Sequence, residues 1–129
     1  MKGAEIIIMD KNTNLHRNQI VWVDFGKNNI GCEQNGIRPA IIVQNNVGNK
    51  HSTTTIVIPI TSQAKANLPT HVQLSKDCGL AKESTALCEQ IKVISKERII
   101  KVGSDISSAD IKKIDNAVLI SMGLTSQVH

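Results

Sequence analysis

Residues 31–46, GCEQNGIRPAIIVQNN, place a permanent cation, Arg38, next to a proline at the mouth of an apolar run and directly behind a loop of glycines and amides. Such a loop offers backbone N–H groups and amide side chains to a phosphate or a base edge, and a guanidinium fork matches a phosphate bidentately. Anion or nucleotide binding is therefore one chemistry open to this stretch. A polar turn followed by an arginine that caps a sheet edge is the other, and the segment by itself leaves both open. Thr61 closes the next apolar run, TTIVIPIT, and in isolation is only a strand-terminal threonine.

Other chemistries find little support. His16, His51, His71 and His129 are widely spaced, and none has a second ligand three or four residues away on an expected helix, so no metal site is expected. Cys32, Cys78 and Cys88 form an odd set without a C-x-x-C pair and read as reduced thiols. Neither a phosphate-binding G-x-x-x-x-G-K-[ST] loop nor a G-x-S-x-G elbow occurs. The 15 lysines and arginines exceed the 11 acidic residues, for a net charge of +4. That balance permits a polyanionic partner without requiring one, because the cations are scattered rather than blocked.

The elements that must position these residues follow from periodicity. With 129 residues, 40% hydrophobic and 20% charged, the chain should fold around one core. Its longest apolar stretches, Ile6 to Met9 among them, run four residues, far below the roughly 20 of a membrane span, and the start does not read as a secretory signal; a cytoplasmic location is expected. Residues 1–16 are expected to be an extension, 17–124 the domain and 125–129 a tail. QIVWVDF (19–25), AIIVQNN (40–46) and TTIVIPIT (54–61) read as strands, with a loop over 26–36 and a polar connection over 47–53. Pro59 suggests an edge or bulge near the end of the third. THVQLS, STALCEQI and RIIKV add shorter strands, for a mostly antiparallel curled sheet or small barrel. Ser107 with Asp110 resembles a capping box, Ile106 and Ile111 can staple across it, and Ile111, Ile114, Val118 and Met122 fall near one helical face that stops at Gly123.

Several motifs then recur in order: Gly31, Glu33, Gln34, Gly36, Arg38 and Pro39 in G-x-E-Q-x-G-x-R-P, followed by VQNNVGN, the strand-ending Thr61, LPTHV and EQI. Over about residues 17–124 the chain resembles the MazF/PemK family of toxin endoribonucleases from type II toxin–antitoxin modules. The resemblance implies an SH3-like, PemK-type curled antiparallel barrel with a C-terminal helix, a homodimer, and cleavage of single-stranded RNA without metal or other cofactor. In the family's chemistry the ribose 2′-hydroxyl attacks its own 3′-phosphate, leaving a 2′,3′-cyclic phosphate and a 5′-hydroxyl.

By that resemblance the catalytic pair is Arg38 and Thr61. RNA contacts are expected from Cys32, Glu33 and Gln34 in the first loop, from Asn49, Ser52 and Thr54 around the 47–53 connection, and from Gln90. Cys32 and Asn35 stand where the family more often has serine and glycine, so the cleaved motif can differ. The family also implies a MazE-like antitoxin whose acidic or amphipathic segment lies over the 26–36 loop and the dimer groove. The rival from another class is a CcdB-like toxin of the same fold that binds a protein target such as gyrase. Those act through a tryptophan-glycine motif on the last helix, and this helix ends LISMGLTSQVH, with no tryptophan.

Overall fold

Alternating β-branched residues build the centre of the sheet. In the computed structural model, which describes residues 14–27, 29–31, 33–64 and 67–125, β1 (Gln19–Asp24) lies between β2 (Ile37–Ile42) and β7 (Ile99–Asp105). Beyond β2 come β3 (Thr54–Thr61), β5 (Thr85–Leu87) and β4 (His71–Gln73), and β6 (Lys92–Ser95) also pairs with β3. The strand pairs are antiparallel, and the sheet is left open, with β4 and β7 at its two ends. No helix among the described residues is long and apolar enough to cross a membrane.

Successive side chains of a strand point to opposite faces, so the near-continuous apolar runs bury both. One face carries Ile20, Ile41, Ile58 and Ile60, covered by Ile114 and Ala117 of the helix α2 (Ser108–Ser121). The other carries Val21, Val23, Ala40, Ile42 and Val57, and meets Ile94 of β6 and Ile99 of β7. Strands from both sides of β1 enclose this second core, which requires the sheet to curl. This is the curled antiparallel architecture with a C-terminal helix that the sequence predicts.

Local chemistry fixes the ends of α2. Ser107 is its N-cap, accepting from the Asp110 N–H at 3.2 Å, an interaction worth about 1 kcal/mol. Asp110 does not complete a capping box. Its buried carboxylate instead accepts from the Ser75 N–H at 2.9 Å and the Ser75 hydroxyl at 2.8 Å, tying the helix to the segment after β4. Gly123, at φ +73°, ends the helix in the left-handed region. Met122, expected on the buried face, is 56% exposed.

Four differences from the sequence reading have physical causes. The 47–53 connection contains a helix, α1 (Asn46–His51), which has no apolar stripe and is held by Asn45, whose side chain accepts from the Gly48 N–H at 2.8 Å. β2 begins at Ile37, three residues early, because β1 pairs with it through Arg38 and Pro39. The 84–91 run breaks after Leu87 into a single 3-10 turn over Cys88–Gln90, and β6 follows with only Ile94 buried. Pro59 marks neither an edge nor a bulge. Thr54 to Val57 pair with β6, and Ile60 and Thr61 pair with β5, so a residue without an N–H sits where β3 changes partner.

The entry to the domain is pinned before Arg17. Leu15 is buried in the second core, and the His16 imidazole meets Asp105 at 2.6 Å. Arg17 donates through Nε to the Val43 carbonyl at 3.0 Å and through Nη2 to Asp115 of α2 at 2.7 Å. Residues 1–13 and 126–129 lie outside the described residues.

Candidate active site

The 26–36 loop is built from its own polar groups. Phe25 N–H donates to the Gly36 carbonyl at 2.9 Å and Gly36 N–H to the Gly26 carbonyl at 2.8 Å, closing the base of the loop like a continued ladder. Gly36 sits at φ +74° with open space where a Cβ would stand, so its glycine serves the turn rather than the packing. The Asn29 side chain crosses the interior, donating to the Phe25 carbonyl at 3.0 Å and the Gln34 carbonyl at 2.7 Å. The Glu33 carboxylate accepts from the Ile30 N–H at 3.0 Å, which engages one of its oxygens within the loop.

Arg38 leaves this loop on the first turn of β2. Its Nε donates to the Asn35 carbonyl at 3.0 Å, while its two Nη atoms have no partner among the described residues and the side chain is exposed. The fork is thus oriented by one bond and open at its outer edge. β2 and β3 pair as Ala40 with Pro59, Ile41 with Ile58 and Ile42 with Val57. That ladder ends two residues short of Arg38 and Thr61, whose even spacing from the last pair puts both side chains on the same face of the two strands. Thr61 is half-buried, and its hydroxyl accepts from the Gln63 N–H at 3.1 Å.

Thr61 also lines a groove of about 370 Å³ together with Gln34 and Gln90. The structure therefore brings Gln34, Thr61 and Gln90 to one depression, with Arg38 on the neighbouring strand two residues beyond the last β2–β3 pair. Cys32 lies outside the described residues. Ser52 and Thr54 hydrogen-bond each other at 2.9 Å at the far end of β3, roughly 23 Å from Thr61 by the strand rise.

Asn49 is not at a surface at all. It is 3% exposed, and its Oδ1 accepts from Thr55 Oγ1 at 2.7 Å and from Gln44 Nε2 at 3.1 Å. Its amide nitrogen donates to the Gln44 carbonyl at 2.9 Å and its own carbonyl accepts from the Lys96 ammonium. The groove in turn contains two polar residues the sequence reading passed over, His71 and Glu89, which interact at 2.9 Å. They stand 18 residues apart and meet only because β4 pairs with β5, a proximity with no local signal.

No group of three or more potential metal ligands clusters among the described residues. Cys78 and Cys88 are free and buried. Burial, with a smaller contribution from the neighbouring Glu89 charge, pushes the Cys88 thiol from 9.0 up to about 12. Below pH 9 the thiol is neutral whether the chain is folded or not. Between about 9 and 12 the unfolded thiol ionises and the folded one does not, so stability falls as pH rises. A Cys88→Ala variant should lack this component. The gap between its unfolding free energy and the wild type's should shift in the variant's favour by up to about 1.4 kcal/mol per pH unit above pH 9, measured by urea titration.

Comparison with known proteins supplies a context for this geometry. Residues 16–122 match the family described as PemK-like, MazF-like toxin of type II toxin–antitoxin system. A curated relative, Endoribonuclease MazF of Staphylococcus saprophyticus, is 45% identical over 96 residues, covering 73% of this chain and 80% of the relative. Among solved structures, MazF of Deinococcus radiodurans superposes with a TM-score of 0.74 at 20% identity, covering 87% of this chain and 99% of that one. An endoribonuclease in complex with its cognate antitoxin from a mycobacterial species gives a TM-score of 0.73 at 21% identity, covering 88% and 99%. At those identities the two structures speak to the fold.

Proposed function

Because the chain belongs to the PemK-like, MazF-like toxin family of type II toxin–antitoxin systems, we propose that it is an endoribonuclease toxin that cuts single-stranded RNA at the rim shared by Arg38 and Thr61. The observation that supports this reading is the β2–β3 pairing, beyond whose last pair, Ala40 with Pro59, an open guanidinium fork and a hydroxyl lie on the same face of adjacent strands. The relative at 45% identity carries the name of that activity.

The reaction asks little of the protein if the substrate brings its own nucleophile. The ribose 2′-oxygen attacks the adjacent phosphorus and loses its proton to water. The bond to the 5′-oxygen of the next nucleotide breaks, leaving a 2′,3′-cyclic phosphate and a 5′-hydroxyl. What remains is negative charge on a pentacoordinate phosphorus. Arg38 meets it with two directed N–H groups and Thr61 with a hydroxyl. A guanidinium remains protonated near neutral pH and is a poor base, but a departing alkoxide is more basic than neutral guanidine, so Arg38 can also protonate the leaving oxygen. No metal is needed for this assignment. Gln34 and Gln90 offer amide donors and acceptors to unstacked bases, the usual means of reading single strands.

The working form in this reading is a homodimer, held inactive by a MazE-like antitoxin whose acidic segment covers the 26–36 loop. A chain of one MazE–MazF structure from Deinococcus radiodurans shares the fold, at a TM-score of 0.70 and 20% identity. The test is incubation of the purified protein with a mixed transcript pool in EDTA, followed by sequencing of the 5′-hydroxyl ends. Discrete new ends are expected at a short common motif; an intact pool would sink the proposal.

A further inference from the structure

A chain of hydrogen bonds leads from the second core to the Arg38 guanidinium. It starts at Phe25, which is buried in that core. The carbonyls of Phe25 and Gln34 accept from the Asn29 side chain at 3.0 and 2.7 Å, and carbonyls only accept, so the amide nitrogen of Asn29 must face them. The Asn29 N–H in turn donates to Oδ1 of Asn35 at 2.9 Å, tying residues 29 and 35 together across the loop. On its other side residue 35 meets the arginine, its carbonyl accepting from Arg38 Nε at 3.0 Å. That carbonyl shares a peptide unit with the Gly36 N–H, which donates to the Gly26 carbonyl at 2.8 Å. A planar trans peptide sends its C=O and N–H in opposite directions, so the bond to Gly26 aims the Asn35 carbonyl at Arg38.

We propose that Asn29 and Asn35 are positioning residues, forming an amide latch that sets the orientation of the Arg38 guanidinium before RNA arrives. The inference rests on the ribonuclease reading above, in which Arg38 meets the phosphate. A long exposed side chain such as arginine is costly to order, and ordering it in the free protein removes that cost from the transition state. The latch touches only Nε, so both Nη atoms stay open for phosphate oxygens. A glycine at position 35, the residue the family more often carries there, would leave the Asn29 N–H without this partner.

The test begins without RNA. In the full-length ¹⁵N-labelled protein the Arg38 Nε–H resonance is assigned by its loss in Arg38→Lys, and its exchange with solvent is measured. Asn29→Ala and Asn35→Ala should each speed that exchange. Asn35 is exposed, so its truncation should leave the melting temperature near that of the wild type. In single-turnover cleavage at saturating RNA each variant should be slower by roughly three- to tenfold, the effect expected of one side chain left unordered. Affinity, read on 2′-O-methyl strands that lack the attacking hydroxyl, should not change. In an Arg38→Ala background, Asn35→Ala should slow cleavage no further, because it acts through the arginine. Unchanged Nε–H exchange in both variants, a loss of affinity as large as the loss of rate, or a further drop in the Arg38→Ala background would overturn the assignment. Intact RNA with the wild type, alongside faster Nε–H exchange in both variants, would remove the ribonuclease reading and leave the latch standing.

Discussion

Replacing Arg38 with alanine should lower single-turnover RNA cleavage by on the order of 10³ while leaving the melting temperature close to that of the wild type. Loss of one directed donor to a developing oxyanion typically costs on the order of 10²–10³, and Arg38 offers two. Its side chain is exposed and, among the described residues, makes a single hydrogen bond, to the Asn35 carbonyl, so little of the fold depends on it. Arg38→Lys should recover only a small part of the rate, because an ammonium is a point charge and cannot address two phosphate oxygens in one plane. Equal cleavage rates for wild type and Arg38→Ala would remove this residue from the chemistry.

Asn49→Ala should have the opposite signature. The substitution strips partners from the buried Thr55 hydroxyl, the Gln44 amide and carbonyl and the contact between α1 and β3. Leaving such groups unsatisfied should cost about 3 kcal/mol in sum, and the melting temperature should drop by roughly 10 °C or more. Cleavage per folded molecule, measured well below the new midpoint, should be little changed. A variant that melts normally but loses RNA affinity would return Asn49 to the substrate-facing set in which the sequence reading placed it.

That contrast shows what the sequence could and could not convey. β1 and β3 were legible because both are short apolar runs rich in β-branched residues and both end at polar residues, Asp24 and Thr61. α2 was legible because Ser107, Ile114 and Gly123 mark its start, face and stop. α1 was not, since its buried residue is an asparagine and its cap, Asn45, looks like any loop amide. β6 escaped because burial of Ile94 alone gives no period. At the site, motif order pointed to Arg38, Thr61, Gln34 and Gln90, of which Gln34, Thr61 and Gln90 line one groove. Glu33 was legible as a loop residue, but its bond to Ile30 N–H was not. Ser52 and Thr54 belong to the other end of β3, a separation set by strand length that composition does not carry. His71 and Glu89 required the β4–β5 pairing to be known.

The exchange of partners at Pro59 has a consequence for how motion is distributed. Thr54 to Val57 pair with β6 and Val57 to Pro59 with β2, whereas Ile60 and Thr61 pair with β5, a strand of three residues next to the open end of the sheet. Local opening can therefore run through β4, β5 and the tip of β3 and stop at the proline, at a fraction of the free energy of global unfolding. Amide protons near Thr61 should exchange with solvent well before those of Val57. A single strand would thus join a slow-exchanging half that holds the fold to a fast-exchanging half that carries Thr61, and in the proposed reaction a flexible RNA chain would meet the protein on the half that can yield to it.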